Sequence, residues 1–303
     1  MTRSSLTPWF LGLATCLAGA GSFAIAEPSF SQDAIASCPE NVLDAIAPTE
    51  KTSTKLLEQA LKLEQQATLH YRQNDYEAAI DLLRCALELQ EQELGSDHLH
   101  VAQSLNDLAF FYSFINGYDQ AQPLLERALT IREQHLGPHH LKVAESLNGL
   151  GFTYASLGRY SDSEAAYERA LEIRQQQLGP NHHLVAAVLS NMGTLQQQMG
   201  RFSQSETLFK QALAMREQEL GPDHTQVATN LSNLALLYVN MGNYDEAMPL
   251  LERALDIREQ EFGPSHPLVE QTARNLMRLY RTMNRDQEIQ DLYDRFRHVS
   301  SNE

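Results

Sequence analysis

Cysteine is scarce in this chain of 303 residues: there are three, Cys16, Cys38 and Cys85. None shares a zinc-type spacing with a histidine pair. Glycine and proline are also few, 15 and 11, which excludes collagen-like and low-complexity classes. Lysine and arginine, 23 together, fall well short of the 39 acids, and the net charge is −16. That balance argues against a nucleic-acid partner and against attraction to an anionic membrane surface. Motifs for chemistry are missing as well. No G-x-S-x-G, P-loop, H-E-x-x-H or Gly-rich dinucleotide pattern occurs, so no catalysis, no cofactor and no metal are expected. What the chain does have is apolar material, 43% of its residues against 20% charged, enough for a sizeable core.

One stretch is apolar over the length of a membrane span, and it is N-terminal. Arg3 is the only charge before Glu27, Trp9 to Ala26 is apolar or small, and Ala24-Ile25-Ala26 precedes Glu27-Pro28. A basic start, an apolar stretch and A-x-A describe a secretory signal peptide. Cleavage after Ala26 would make the mature chain more acidic by one unit and place it in the periplasm or outside the cell. The three glycines and several alanines of this stretch suit a retained anchor poorly. A second alternative uses Leu13-Ala14-Thr15-Cys16, similar to a bacterial lipoprotein box with Thr15 in place of the usual small residue. Lipidation at Cys16 would then be the one route to a membrane, and the protein would be an envelope structural or assembly factor.

The rest of the chain repeats. Gly95, Gly137, Gly179, Gly221 and Gly263 follow a strict period of 42 residues, each after Leu or Phe and each three residues before a histidine. Gly and the Pro that usually follows end one helix. Asp97, Asn181, Asp223 and Ser265 are predicted N-caps of the next, with His139 a poor one. That helix, A, stops at a second fixed point, Asn74, Asn116, Gly158, Gly200, Gly242 and Asn284, where the residues tolerate a left-handed backbone. Helix B starts about two residues later at Tyr76, Tyr118, Tyr160, Phe202 and Tyr244. Small residues recur on A at Ala67, Ala109, Gly151, Gly193 and Ala235. On B they recur at Ala79, Ala121, Ser163, Ser205 and Ala247 and at Ala86, Ala128, Ala170, Ala212 and Ala254. Small residues opposite large ones let helices approach closely.

At these residues the chain resembles the tetratricopeptide repeat family. Its 42-residue period, with Leu220-Gly221-Pro222-Asp223-His224 and Leu251-Glu252-Arg253-Ala254-Leu255-Asp256-Ile257-Arg258-Glu259, is similar to the kinesin light chain type of repeat. The resemblance covers residues 53–298. It implies an all-α, right-handed α-solenoid of about six antiparallel helix pairs, with A helices lining the concave face. Residues 1–26 are then the signal peptide, 27–52 an N-terminal segment and 299–303 a tail. In the sixth repeat Met277, Ile289 and Phe296 replace small residues and Asp286 replaces the aromatic, as suits a terminal cap.

The resemblance also implies a non-catalytic protein-interaction scaffold, and adding multiples of 42 picks its lining. One set is Asn106, Asn148, Ser190, Ser232 and Arg274; one turn on lie Phe110, Phe152, Thr194, Leu236 and Arg278; a third holds Ser113, Ala155, Gln197, Val239 and Arg281. Asn106 and Asn148 match positions that peptide-binding members use to hold an extended backbone, while Ser190 and Ser232 depart from them. Phe114 adds to an aromatic early part. Arg274, Arg278 and Arg281 share a face of the last A helix, suited to an acidic peptide or a C-terminal carboxylate, or else to the polar outer face of a cap.

His98, His140, His182, His224 and His266 occupy one position in each repeat, which favours a packing or hydrogen-bonding role over ligation. Adjacent pairs such as His182-His183 are expected on different helix faces. The Glu and Arg of the B helices read as a solvated, helix-stabilising face. Cys85 falls where other repeats carry Arg127, Arg169, Gln211 and Arg253, so a surface position is expected for it. In an oxidising compartment a Cys38–Cys85 bridge is the favoured state, two free thiols the alternative.

Overall fold

The computed structural model describes residues 53–297, and every regular element among them is a helix. The A helices are α1 (Ser53–Arg72), α3 (Leu99–Phe114), α5 (Leu141–Ser156), α7 (His183–Gln198), α9 (Thr225–Met241) and α11 (Pro267–Thr282). They alternate with the B helices α2 (Tyr76–Leu94), α4 (Tyr118–Leu136), α6 (Tyr160–Leu178), α8 (Phe202–Leu220), α10 (Tyr244–Phe262) and α12 (Asp286–Arg297). The described residues fall into two compact units, 53–173 and 174–297, with the division inside α6. In each unit consecutive helices run antiparallel and pack as pairs, the all-α repeat architecture expected. None of the described helices is long and apolar enough to cross a membrane. The signal segment, Cys16 and Cys38 lie outside the described residues.

Both turns of each repeat follow from backbone chemistry. Between A and B, Asn74, Asn116 and Asn284 sit at φ 55–60° and Gly158, Gly200 and Gly242 at φ 74–81°. These are the residue types that tolerate the left-handed region. Between B and the next A, Gly95 takes φ 85° and ψ 153°, a combination essentially restricted to glycine. The cap that follows differs from expectation. The N-cap is the residue after Asp97, Asn181, Asp223 or Ser265, namely the repeated histidine. His98, His140, His182, His224 and His266 are extended, and each Nδ1 accepts the backbone N–H two residues on at 3.1–3.2 Å. A neutral imidazole thus does the work usually given to Ser or Asp.

Size complementarity sets how closely A and B approach. Where the B helix carries Leu125 or Leu251, the A helix carries Ala109 or Ala235, and each set joins one buried cluster. Where B carries Tyr167 or Phe209, A carries Gly151 or Gly193. A Cβ on Gly151 would lie 2.6 Å from the Tyr167 ring, and one on Gly193 would lie 2.9 Å from Phe209. In the same two repeats the small B residue is serine: Ser163 donates to the Gly151 carbonyl at 2.6 Å and Ser205 to the Gly193 carbonyl at 2.7 Å. The bulky Met277 breaks the pattern, and the equivalent ring, Tyr293, stands exposed.

A second repeated layer is polar and buried. Arg132, Arg174, Arg216 and Arg258 recur at the 42-residue period in the B helices and are almost wholly buried. Each reaches toward the start of the following A helix. Arg132 donates to the Lys142 carbonyl and to Ser146 Oγ, both at 2.9 Å, and pairs with Glu145 at 3.2 Å. Arg174 donates to the Leu184 carbonyl at 2.7 Å, and Arg216 to the Gln226 carbonyl at 3.1 Å and to Asn230. Arg258 bonds Thr272. Burial pushes the Arg216 guanidinium down to about 10, and its Nε finds no partner among the described residues. These buried arginines stand apart from the solvated Glu/Arg face of the B helices. Arg132, Arg174 and Arg216 satisfy carbonyls of the next A helix and Arg258 bonds a hydroxyl there, so each of these B helices is bonded to the A helix that follows it.

The outer face of the B helices does carry the solvated pairs expected. Arg127 meets Glu91, Arg169 meets Glu133 and Arg253 meets Glu217, each at 2.6 Å and each part-exposed. Such pairs contribute little individually. Cys85 occupies the same repeat position but is buried, which corrects the surface placement. It packs with Ala60, Leu63, Ala86 and Leu89 and is disulfide-bonded.

Candidate functional site

The A helices position all the lining residues, and the structure sorts them by depth. Asn106, Asn148, Ser190 and Ser232 are buried, so they do not form an open lining. Asn106 and Ser190 face the next A helix. Asn106 exchanges hydrogen bonds with Ser146 at 3.1 and 3.2 Å. Ser190 accepts from Asn233 at 3.3 Å, and Ser232 donates to the Ala228 carbonyl at 2.9 Å. Ser113 is buried too and bonds the Phe110 carbonyl. Arg274 holds the equivalent position in α11 and is exposed beside Glu270.

One turn further on the side chains reach the surface. Phe152, Thr194 and Leu236 are half-buried, and Arg278 and Arg281 are exposed. Phe110 is the buried exception. It sits edge-on to Phe114 and Phe111 at 5.0 and 5.7 Å. Phe114 is half-buried and stacks on Tyr76 at 4.9 Å. Thr194 Oγ1 bonds the Ser190 carbonyl, and Arg281 lies against the Tyr293 hydroxyl. Arg278 has no side-chain partner among the described residues.

Sequence reasoning passed over an acidic group on the first unit's A helices. Asp107 of α3 is half-buried, bonds Gln103 at 2.9 Å, and feels Glu145 and Glu64. Burial first, then the repulsion of Glu145, pushes its carboxyl up to about 7. Repeat comparison carried the signal: the same position is Asn191, Asn233 and Asn275 later in the chain, so Asp107 is the charged exception.

These surfaces stand on a scaffold whose relatives can be identified. A family model for the tetratricopeptide repeat matches residues 58–134, 101–176, 142–218, 192–260 and 226–295, together most of the chain. The chain belongs to the tetratricopeptide repeat family. Among curated proteins no sequence matches it. Among solved structures it is similar to BtubC (BKLC) from P. vanneervenii. The TM-score is 0.57 and the identity 21%, over 83% of this chain and 92% of that one. It is also similar to a kinesin light chain-like protein of Podosopora anserina with nearly identical repeats. There the TM-score is 0.55 and the identity 21%, over 70% of this chain and 99% of that one. A third is a Rap protein solved in complex with Competence and Sporulation Factor, with a TM-score of 0.59 and 16% identity, over 86% and 79% of the two chains. At these identities the likeness is one of fold, and it agrees with the kinesin light chain type of repeat.

Proposed function

We propose that this tetratricopeptide repeat protein is a non-catalytic scaffold that holds an extended segment of a partner protein on the surface of its A helices. One observation carries the proposal. The buried layers keep their polarity and a matched pairing of small with large residues from pair to pair, whereas the layer above them reads Phe152, Thr194, Leu236 and Arg278. A scaffold that repeats in its interior and varies along its surface is suited to a partner whose side chains do not repeat. The Rap relative solved with its factor supports a binding role for this fold.

The surface chemistry suggests what each unit offers by itself. Half-buried Phe152 and Leu236 offer apolar anchors. Arg278 and Arg281 offer charge to an acidic side chain or a C-terminal carboxylate. The proposal keeps the protein in the periplasm or outside the cell, on the strength of residues 1–26, and mass spectrometry of the mature N-terminus tests that placement.

The direct test is affinity purification with the wild-type chain, Phe152→Glu, and Arg278→Ala/Arg281→Ala. Loss of a partner in the first variant and weaker, more salt-sensitive retention in the second are expected. Equal recovery of the same partner by all three forms would remove the A-helix surface as the binding site.

A further inference from the structure

A cluster of ligating side chains outside that surface lies where α7 begins and α8 ends. His182 is the N-cap of α7, and its extended backbone (φ −74°, ψ 142°) brings its ring beside that of His183, with centroids 4.3 Å apart. Inside a helix the two would point to different faces; the cap position brings them together, contrary to expectation. Glu219 of α8 faces both. Its Oε1 is 3.0 Å from His183 Nδ1 and 3.8 Å from His182 Nε2, and Oε2 accepts the His183 backbone N–H. The combination occurs once. The His183 position holds Leu99, Leu141, Thr225 and Pro267 elsewhere, and the Glu219 position holds Glu93, His135, Gln177 and Glu261.

We infer that His182, His183 and Glu219 form a binding site for a divalent transition-metal ion, with zinc the best match. One ligand atom from each residue lies within 4.8 Å of the other two. Zinc bonds of the usual length in a tetrahedron set neighbouring ligand atoms about 3.3 Å apart. The observed 3.0 and 3.8 Å bracket that spacing, so small rotations about the side-chain bonds close the site. Two nitrogens and a carboxylate suit zinc, nickel or copper and not calcium or magnesium. The side chains are 26%, 26% and 32% exposed, which admits an ion and leaves a coordination position for water. The carboxylate offsets the positive end of the α7 dipole.

Ligation carries a specific signature. His182 Nδ1 accepts the Leu184 N–H at 3.1 Å, which puts the ring proton on Nε2, the atom nearer Glu219. Binding through Nε2 requires that proton to move to Nδ1, and the cap bond is given up. The competing account of the same geometry is a plain hydrogen-bonded latch, in which Glu219 pins the first turn of α7 and no ion is held.

The test is calorimetric titration of the metal-stripped full chain with zinc chloride at pH 7.5, alongside Glu219→Gln and His183→Leu. Leucine is the residue two other repeats use there, so that variant keeps the fold, which its melting temperature verifies. One wild-type binding event, weakened at least about tenfold in each variant, is expected. A shift of the His182 proton to Nδ1, read from its ring carbon and nitrogen resonances, should accompany it. If wild type and both variants bind zinc alike, or wild type binds none at 100-fold excess, the cluster is a latch and the metal site is refuted.

Discussion

Gly151→Ala should destabilise this protein, although alanine is the better helix former. Gly151 is inside α5, where the exchange alone would gain about 1 kcal/mol. Against that, the new methyl carbon would sit 2.6, 2.6 and 2.8 Å from three atoms of the Tyr167 ring. Tyr167 is only 2% exposed, so the ring has no free space to enter. Overpacking of this kind costs about 1–3 kcal/mol, and contact with three ring atoms belongs at the upper end, for a net loss of about 2 kcal/mol. Exchanging Tyr167 for leucine recreates the combination of Ala109 with Leu125 in the preceding repeat. In a Tyr167→Leu background, therefore, Gly151→Ala should stabilise by about 1 kcal/mol, a coupling of about 3 kcal/mol between the two positions. Urea unfolding of the four forms, followed by far-ultraviolet circular dichroism, measures it. If Gly151→Ala has the same sign and size with Tyr167 and with Leu at position 167, size complementarity does not explain the glycine.

Two further predictions concern pH. Asp107→Asn, the residue of three other repeats, should stabilise at pH 8. Since the carboxyl is raised to about 7, the folded state binds more protons than the unfolded one between about pH 4 and 7, and stability is lost as pH rises through that window. The gain should be about 1–2 kcal/mol, below the unscreened limit of about 4 because the carboxyl still reaches water, and it should vanish near pH 4. His182 and His266 show the opposite sign: burial lowers both, so the unfolded chain takes up protons first and stability falls as pH drops below about 6.5. His266→Asn keeps a capping side chain that does not titrate, and the difference in urea midpoint between pH 7.5 and 5.5 should shrink relative to wild type.

The pairing of helices was legible because every marker of it is local. A left-handed turn admits few residue types, so Asn74, Gly158 and their equivalents announce the A–B turn, and the strict spacing of Gly95 and its copies announces the next. The capping histidine was half legible. Its recurrence indicated a structural role, but propensity favoured Asp97 and its equivalents, and only the backbone conformation shows that the helix starts one residue later. The surface layer was harder. Asn106 and Arg274 share a repeat position, yet one is buried by the next A helix and the other is open. Nothing within a single repeat distinguishes them.

The sequence alone determined the fold class, the helix boundaries to within a residue or two, and the places where A and B come close. All of these depend on backbone preferences and on size at fixed spacing, which are properties of short segments. Tertiary structure decided which polar residues are interior. Arg132 and Arg127 lie five positions apart on one helix, and only the approach of the next A helix buries the first while the second stays in water. It likewise decided that His182, His183 and Glu219 meet, because the carboxylate comes from another helix and the rings converge only where the chain enters α7 extended. Burial and convergence depend on what a neighbouring element brings, and that is set by packing between repeats.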